Sequence, residues 1–414
     1  MSTTIPSPAN SPSAGPGEGE GEGAWSSVQD ERRTYIVPAI LLGKLAVLLV
    51  VFLAYELLPF STPNFEINFV DPARRVVSLA TAFSTWDAQH YLYLSESGYH
   101  AGQMSNAFFP LLPLLIHLTA PIFHSTLVAG LVVSNVASLL GVYFLYRLVS
   151  ELHGRGAADS TLLLYLAFPT AFFFSLIYTE SLFLLLAASF FYLLFRRGLA
   201  WAALPAAVLP LARPEGVLII IPFAVHYAFE VLGLGRRPLA AALARFEASQ
   251  AALVLSPLLG AAAYLAYMRA ATGNAFEMFE AMKNYVSAHS LTYVLHPADL
   301  ARALGEWPLA LHGFTNSAID RALFLVFLLL LPPMFRRVHP ALAVFGVAVG
   351  LLNVLSGTFM SYFRYLLLAF PVFITAGLLL QGSRLSRLTV PLVCSLALIQ
   401  GLFLVMHALS YWVA

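Results

Sequence analysis

A carboxylate, an imidazole and several aromatic side chains share one short polar stretch near the start of an otherwise apolar chain. The stretch runs from 86 to 110 and begins with the sequence WDAQHY. Asp87 can act as a general base that takes a proton from a hydroxyl nucleophile, and His90 lies close enough in sequence to shape such a site. Whether this chemistry is present depends on which other side chains lie close to this stretch in the folded protein.

Residues 86–97 have the pattern of a short helix at a membrane interface. Asp87 and Tyr91 are spaced i,i+4 and His90 lies at i+3, so the three side chains are expected on adjoining faces. Gly98 is the expected C-terminal cap. Aromatic residues of the types that favour the interface are Trp86, Tyr91, Tyr93 and Tyr99.

Each polar residue of this helix also has a structural interpretation. Ser84 and Asp87 have the spacing of a capping box, in which Asp87 would close the first turn. A lone His90 more often makes a hydrogen bond at an interface, and Glu96 fits a solvated helix face. The spacing alone leaves the catalytic and the structural interpretation open.

Two further polar turns interrupt apolar runs later in the chain. Glu180 follows Thr179 at the start of an apolar run, where both residues suit a helix N-terminus. Arg213 precedes Pro214 and Glu215, which also fit a helix start. Topology does not require an arginine at that place, so Arg213 is a candidate for a functional role.

The composition identifies a membrane protein. The chain has 414 residues, of which 59% are hydrophobic and only 10% charged, with a mean hydropathy of +0.79; a soluble domain carries about 25% charged residues. Apolar runs of membrane-spanning length recur along the chain. The net charge of +1 gives no electrostatic basis for binding nucleic acid. The single cysteine, Cys394, excludes an intramolecular disulfide.

The predicted fold is an all-α polytopic membrane domain over 35–414, preceded by a disordered cytoplasmic tail over 1–34. About eleven spans are expected, the first at 36–58. A first outer loop with juxtamembrane helices covers 59–125, and a second outer loop covers 271–319. The other expected spans are 126–149, 158–176, 180–195, 199–212, 215–232, 250–270, 320–335, 340–358, 364–381 and 388–411.

One further apolar run, 108–123, decides the orientation of every later span. If it does not cross, thirteen of the 22 lysines and arginines face the N-terminal side of the membrane and eight face the other side, with Lys44 inside a span. The paired arginines of the later loops then all lie on the N-terminal side. The positive-inside rule therefore predicts that 108–123 is juxtamembrane or re-entrant, that the N-terminus is cytoplasmic and that the stretch 86–110 faces outside.

This topology gathers one accessible carboxylate and several arginines at the outer surface, which suits sugar transfer from a lipid-linked phosphate. The phosphate leaves as an anion, so a general acid is not essential. A carboxylate base activates the acceptor hydroxyl, and a cation holds the phosphate.

Arg364 is the predicted phosphate ligand, because it begins an outer-facing span at headgroup depth. Tyr362 and Tyr365 flank it and could pack on a sugar or lipid edge. Arg213 is the alternative ligand or its partner. The structural interpretation of Arg364 is an arginine that snorkels to the headgroups.

Six motifs occur in order between about 80 and 375. They are WDAQHY at 86–91, GY at 98–99, FFPLLPL at 108–114, YTESLF at 178–183, ARPEG at 212–216 and RYLLLAFP at 364–371. Together they resemble the class V mannosyltransferase of the GPI-anchor pathway and its prokaryotic relatives. The resemblance implies a GT-C glycosyltransferase fold, a catalytic acidic residue in the first outer loop, a polyprenyl-phosphate-mannose donor and inversion at the anomeric carbon. Eukaryotic members often have Asn-Gly where this chain has Glu215-Gly216, so a GPI precursor is not implied as the acceptor.

The sequence thus predicts a membrane hexosyltransferase in the cytoplasmic or plasma membrane of a prokaryote. Its predicted catalytic residues are Asp87, His90 and Glu180. Its predicted substrate-binding residues are Trp86, Tyr91, Glu96, Tyr99, Arg213, Glu215 and Arg364. The expected partners are a polyprenyl-phosphate sugar donor, a glycan, lipid or protein acceptor and the bilayer. No cofactor and no metal site is predicted, although a divalent metal is left open.

Two other functions compete with this prediction. A flippase or transporter of polyprenyl-linked sugars would favour charged residues deep in the spans and internal repeats. A non-catalytic assembly factor would keep the fold without the chemistry.

Overall fold

A computed structural model of the chain describes residues 38, 40–67, 76–285, 295–306, 310–313, 317–381 and 384–413. The chain divides into two compact units, 1–46 and 47–414, and every contact discussed below lies within the second unit. The predicted disordered tail, 1–34, lies outside the described residues, as do Arg74 and Arg75, for which the predicted topology expects the outer side of the membrane.

The described residues form helices and no β-strand, so the predicted all-α class is confirmed. The helices are α1 (Ile40–Leu57), α2 (Thr62–Ile67), α3 (Leu79–Ala82), α4 (Asp87–Ser97), α5 (Leu111–Phe123), α6 (Thr126–His153), α7 (Arg155–Ala167), α8 (Glu180–Arg197), α9 (Leu199–Ala212), α10 (Ile220–His226), α11 (Leu239–Leu243), α12 (Ala248–Val254), α13 (Ser256–Thr272), α14 (Glu277–Met282), α15 (Pro297–Gly305), α16 (Ala318–Arg337), α17 (Pro340–Leu355), α18 (Tyr362–Leu368), α19 (Pro371–Leu380) and α20 (Thr389–Ala408). Separate 3₁₀ turns are Met104–Ala107, Ala171–Ser175 and Arg384–Leu388. α10 is the middle of a longer helical segment, Pro214–Leu232, which begins with a 3₁₀ turn and ends with a π-helical turn.

Several of these helices can cross a bilayer. Five described segments are long and apolar enough, namely α1, α6, Pro214–Leu232, α16 and the helical segment Leu385–Ala408. The number rises to seven if each of two bent pairs, α12 with α13 and α18 with α19, counts as one span. The structure therefore supports a polytopic membrane protein, whereas the count of eleven spans stays a prediction.

The predicted span 158–176 is not one continuous helix. Its helical part, α7, ends at Ala167. Phe168 precedes Pro169 and takes an extended conformation with ψ of 140°, because a proline disfavours helical geometry in the residue before it. A 3₁₀ turn then leads to the start of α8.

The predicted span 364–381 is broken as well. α18 and α19 meet at an angle of 84°, and the break falls just before Pro371, the first residue of α19. The two broken segments touch, since the hydroxyl of Thr170 donates a hydrogen bond of 3.1 Å to the carbonyl of Phe363. The turn that follows α7 thus contacts the first turn of α18.

The first predicted outer loop contains helices, as expected. α2, α3, α4 and α5 all fall within 59–125. α5 has 13 residues, which gives about 20 Å against a hydrocarbon thickness of roughly 30 Å. It exposes an apolar row of Leu114, Leu118 and Ile122. α9 and α17, which are predicted to span, are short as well. Helix length therefore does not show whether α5 crosses the membrane, and the predicted orientation of the spans still rests on the charge distribution.

Glycines allow the closest helix pairs to form. α13 packs on α9, and a Cβ at Gly260 would collide with the carbonyl oxygen of Ala207. α19 packs on α7, and a Cβ at Gly377 would lie 2.9 Å from the backbone nitrogen of Thr161. Small residues at such crossings let backbones approach closely, which is how helices gain packing in a bilayer.

We predict that position 283 labels from outside the membrane and that positions 196 and 336 label from inside. Single cysteines replace Lys283, Arg196 and Arg336 in a Cys394→Ser background, and a membrane-impermeant thiol reagent reports their side. α8 puts Glu180 and Arg196 at opposite ends, about 25 Å apart along its axis. Labelling of position 283 from inside would show that the predicted topology is wrong by one span.

Candidate active site

The polar stretch of the first outer loop forms the helix that its sequence predicts. α4 begins at Asp87 and ends at Ser97, and the next residue, Gly98, caps it with φ of 73°, a conformation that favours glycine. Trp86 precedes the helix with φ of 54°. Asp87 and Tyr91 face the same cavity, as their i,i+4 spacing predicted.

Asp87 is not held as a helix cap. The hydroxyl of Ser84 donates to the carbonyl of Ala80 at 2.8 Å and not to the first turn of α4. The Asp87 carboxylate instead accepts a hydrogen bond from Nη1 of Arg364 at 2.5 Å. Its side chain is 25% exposed, so a molecule in the cavity can reach the carboxylate.

Glu180 begins α8 but its carboxylate is directed at two arginines. Its Oε1 accepts hydrogen bonds from Nη1 of Arg213 at 3.0 Å and from Nε of Arg364. The preceding residue, Thr179, makes no capping hydrogen bond, and its hydroxyl pairs with the hydroxyl of Tyr91 at 3.3 Å. The two residues that fit a helix N-terminus therefore bind arginine and tyrosine side chains instead.

Arg213 is held by protein groups on all sides. It donates through Nε and Nη2 to the two oxygens of Glu215 at 3.2 and 3.4 Å, and through Nη1 to Thr179 and Glu180. Pro214 is the first residue of the following turn, as expected. Gly216 is required there, since a Cβ would collide with the carbonyl of Leu209.

Arg364 lies on α18 and bridges the two carboxylates. It is only 8% exposed, so the interpretation as a snorkelling arginine does not hold. Its guanidinium lies over the rings of Tyr178 and Phe173, at 4.7 and 5.0 Å from their centroids. Nη2 of Arg364 makes no hydrogen bond with the described part of the chain, and the side chain lines the cavity.

These five charged side chains form one cluster, which we call the charge cluster: Asp87, Glu180, Arg213, Glu215 and Arg364. Three carboxylates and two guanidiniums leave one net negative charge. Glu180 is fully buried and does not line the cavity, whereas Asp87, Glu215 and both arginines do. Glu180 thus lies behind the arginines and orients them.

The cavity in front of the charge cluster has a volume of about 280 Å³. Its walls come from α4, the 3₁₀ turn Met104–Ala107, the segment before Pro214, the second loop and α18. The wall residues outside the charge cluster are Ile67, Trp86, Tyr91, Met104, Ala107, Phe108, Phe109, Thr179, Ala212, Pro214, Met282, Asn284, Tyr285, Met360, Ser361, Tyr365 and Trp412. An apolar cavity with a few convergent charged groups is the usual form of a substrate site.

The pKa of Asp87 is set by opposing effects. Burial raises it, but the Arg364 cation and its hydrogen bond outweigh burial and hold the pKa below the usual range of a carboxyl group. Burial also lowers the pKa of His90 to about 4, although Asp87 opposes that shift. Asp87 is therefore ionised and His90 neutral near pH 7.

His90 lies on α4 beside Asp87 and contacts residues of the cavity wall. Its Nδ1 lies 2.9 Å from the hydroxyl of Ser105, and its Nε2 lies 3.5 Å from that of Tyr285. Its ring stacks on Phe108 with centroids 4.4 Å apart. Since Phe108 and Tyr285 line the cavity, His90 supports the wall from behind.

Two predicted substrate-binding residues lie elsewhere. Glu96 and Tyr99 line a second, mostly apolar cavity of about 520 Å³. Glu96 accepts a hydrogen bond of 2.6 Å from Thr126, and Tyr99 donates one of 2.8 Å to the carbonyl of Phe108. α4 is 11 residues long, so its far end is about 15 Å from Asp87.

Two aromatic residues correct the sequence interpretation. Tyr362 does not flank the site, because it is fully buried and its hydroxyl donates to the carbonyl of Gly350; only Tyr365 faces the cavity. Trp412 was missed: its ring lies 5.3 Å from that of Trp86, and no local pattern near the C-terminus signals this contact.

The described residues contain no group of three or more His, Cys, Asp or Glu side chains placed to hold a metal ion. The carboxylates of the charge cluster are occupied by arginines. The prediction that no metal site is present stays a prediction.

Comparison with known proteins finds a family and several solved chains, two of which are of one enzyme. The profile of the family described as mannosyltransferase (PIG-V) matches residues 39–295, more than half of the chain. The matched range contains all members of the charge cluster except Arg364. None of the curated proteins compared with the chain matches it significantly.

Both solved structures are of the Archaeoglobus fulgidus oligosaccharyltransferase. A complex with Zn and sulfate aligns with 89% of this chain at 12% identity and a TM-score of 0.43, covering 53% of that chain. A form tethered to an acceptor peptide with an NVT sequon aligns with 89% at 14% identity and a TM-score of 0.42, covering 55%. The chain therefore spans about half the length of the solved proteins that it matches.

We predict that Glu180→Ala destabilises the folded protein by about 3–5 kcal/mol, because it leaves two buried guanidiniums without their shared carboxylate. Glu151→Ala is the matched control. Glu151 also contacts two arginines, Arg147 at 2.9 Å and Arg196 at 3.0 Å, but those arginine side chains are 40% and 60% exposed, so about 1 kcal/mol or less is expected. Thermal unfolding in detergent measures both variants. Equal shifts would contradict the view that burial makes the charge cluster costly to break.

Proposed function

This chain belongs to the PIG-V mannosyltransferase family, and from that premise we propose that it transfers a mannosyl residue from a polyprenyl-phosphate-linked donor to an acceptor hydroxyl, with inversion at the anomeric carbon. The family makes the protein a membrane glycosyltransferase. The observation that carries the finer proposal is the contact between Asp87 and Arg364 on the wall of one cavity. It puts a carboxylate base and a phosphate-binding cation within reach of one substrate.

Asp87 is the proposed general base. It lines the cavity, is partly exposed and is ionised near pH 7. Glu180 has no exposed surface, so an acceptor hydroxyl cannot reach it without moving the arginines. His90 is neutral and turned toward Ser105 and Tyr285. Its proposed role is to hold the cavity wall, and that of Glu180 is to hold the two arginines.

Arg364 is the proposed ligand of the donor phosphate. Nε and Nη1 are used by Glu180 and Asp87, while Nη2 has no hydrogen-bond partner in the described chain and can bind a phosphate oxygen. All three guanidinium nitrogens of Arg213 donate hydrogen bonds to protein groups. Its proposed role is to balance the charges of Glu180 and Glu215 behind the phosphate.

The reaction then proceeds as a displacement. The acceptor oxygen attacks the anomeric carbon and forms the new glycosidic bond, while the bond from that carbon to the phosphate oxygen breaks. The hydroxyl proton goes to Asp87 and from there to solvent. The polyprenyl phosphate leaves with the bond electrons, and the Arg364 cation stabilises the charge that develops on it.

The location of the cavity supports a donor that enters from the membrane. We propose that it opens to the outer surface, because the charge distribution orients the first loop outward and the inner loops carry the paired arginines. A glycan, lipid or protein hydroxyl then serves as the acceptor. The host membrane is proposed to be the cytoplasmic or plasma membrane of a prokaryote.

We predict that Asp87→Asn lowers mannosyl transfer by about 10²–10⁴-fold, because asparagine cannot take the acceptor proton. The assay uses purified protein, labelled polyprenyl-phosphate-mannose and an acceptor preparation. Asp299→Asn, which neutralises an exposed carboxylate next to Arg302, is the control and should retain transfer. Near-normal turnover by a folded Asp87→Asn protein would remove Asp87 from the mechanism.

We predict that Arg364→Lys raises the donor concentration needed for half-maximal transfer, and that Arg364→Ala raises it further. Lysine keeps the charge but loses the fork that grips two carboxylates and a phosphate together. Arg213→Lys is the comparison, and it should lower thermal stability without a specific change in donor dependence. Donor curves for the Lys and Ala variants of Arg364 that match the wild type would exclude Arg364 as the phosphate ligand.

The same Ala variant tests the electrostatic coupling to the base. Arg364 lowers the pKa of Asp87, so wild-type transfer should persist as pH falls until that lowered pKa is reached. Without the guanidinium the pKa rises, and the acid limb of the kcat/KM profile should move to higher pH. His90 should cause no change in kcat/KM between pH 5 and 8, because burial lowers its pKa to about 4.

A further inference from the structure

The backbone that carries Arg364 is held in an unusual conformation. Ser361, the residue before α18, has φ of 59°, in the left-handed region that non-glycine residues seldom adopt. Its hydroxyl makes no capping hydrogen bond to the helix that follows. The amides of Tyr362 and Arg364 donate to the nearby carbonyls of Phe359 and Ser361, which leaves the Phe363 amide to find an acceptor in another part of the chain.

Asp320 supplies that acceptor from α16. Its Oδ1 accepts the backbone N–H of Phe363 at 3.1 Å. Asp320 is 2% exposed. The hydroxyl of Ser317 caps its own helix at the amide of Asp320. A carboxylate from one helix thus caps the start of another, 43 residues later in the chain.

Asp320 has no ion-pair partner in the described part of the chain, which is rare for a carboxylate so deeply buried. It is not a member of the charge cluster, and neither the sequence motifs nor the proposed chemistry uses it. Its hydrogen bond goes to the amide of Phe363, directly before Arg364, so Asp320 helps to place the backbone from which the Arg364 side chain extends.

Other contacts hold the same segment but differ in kind. Asn353 donates to the carbonyl of Met360 at 2.9 Å, and Thr170 donates to that of Phe363 at 3.1 Å. These side chains bind carbonyl oxygens, which have a second lone pair and tolerate loss of one partner. Asp320 is the acceptor for the Phe363 N–H, and loss of the carboxylate leaves that buried donor unsatisfied.

We infer that Asp320 is a positioning residue, which sets the Arg364 guanidinium at the distance from Asp87 and the donor phosphate that transfer requires. The inference rests on the proposed function of Arg364 and extends it to a residue on a different helix. A small displacement of a binding group can cost roughly 10- to 100-fold in rate.

The test compares Asp320→Asn with Asp320→Ala in the transfer assay. Asparagine keeps a carbonyl oxygen for the Phe363 amide, so transfer should stay close to the wild type. Alanine removes the acceptor, and kcat/KM for the donor should fall by roughly 10- to 100-fold while the KM for the acceptor is unchanged. If Asp320→Ala is not recovered as folded protein, Asp320→Ser, with a shorter acceptor, replaces it under the same criterion.

Two further variants separate positioning from general loosening of the helices. Thr375→Ala removes a fully buried hydroxyl whose hydrogen bond, to the carbonyl of Pro371, stays within α19; it should leave donor kcat/KM unchanged. Asp320→Ala should lower donor kcat/KM by a smaller factor in the Arg364→Lys protein than in the wild type, because both changes act on the side chain at position 364. Equal losses in the two backgrounds, or a loss in Thr375→Ala, would overturn the inference.

The wild-type protein in the same assay distinguishes the two levels of the proposal. A wild type that transfers no mannose would count against the proposed function. A wild type that transfers mannose, together with an Asp320→Ala protein that uses the donor equally well, would count against Asp320 alone.

Discussion

The bridging of Asp87 and Glu180 by the Arg364 guanidinium is the interaction on which the site depends. A buried cation is tolerated only when carboxylates surround it, and a buried carboxylate only when it has cations or hydrogen bonds. The starts of α4, α8 and α18 therefore lie together, because the buried charge that each helix carries needs a partner on another.

Local features of this arrangement could be predicted from the sequence. The start of α4, its Gly98 cap and the common face of Asp87 and Tyr91 follow from helix geometry, and Pro214 marks the start of its segment. The pairings could not be predicted, since three carboxylates and two arginines allow six pairs. Arg364 is 184 residues from Glu180 and 277 from Asp87, and no periodic pattern reaches across such separations. The all-α class was predictable from composition, whereas the broken helices depended on particular prolines.

Access to solvent divides the roles of two carboxylates that share one cation. Asp87 and Glu180 both bind Arg364, yet Asp87 is a quarter exposed and Glu180 is completely enclosed. The same guanidinium thus connects a carboxylate that a substrate can reach with one that a substrate cannot reach. The sequence motifs do not distinguish the roles of Asp87 and Glu180. The difference comes from the packing around α8, which encloses Glu180.

The spacing of the charged residues along the chain also fixes the order in which they are neutralised during synthesis. α8 and α9 are consecutive and packed together, so Glu180 meets Arg213, 33 residues later, as soon as this hairpin forms. Asp87 receives its guanidinium only from a segment 277 residues further on. In a chain made from its N-terminus, Glu180 and Glu215 thus share the Arg213 cation before Arg364 exists, while Asp87 gains its arginine partner only once α18 has been made.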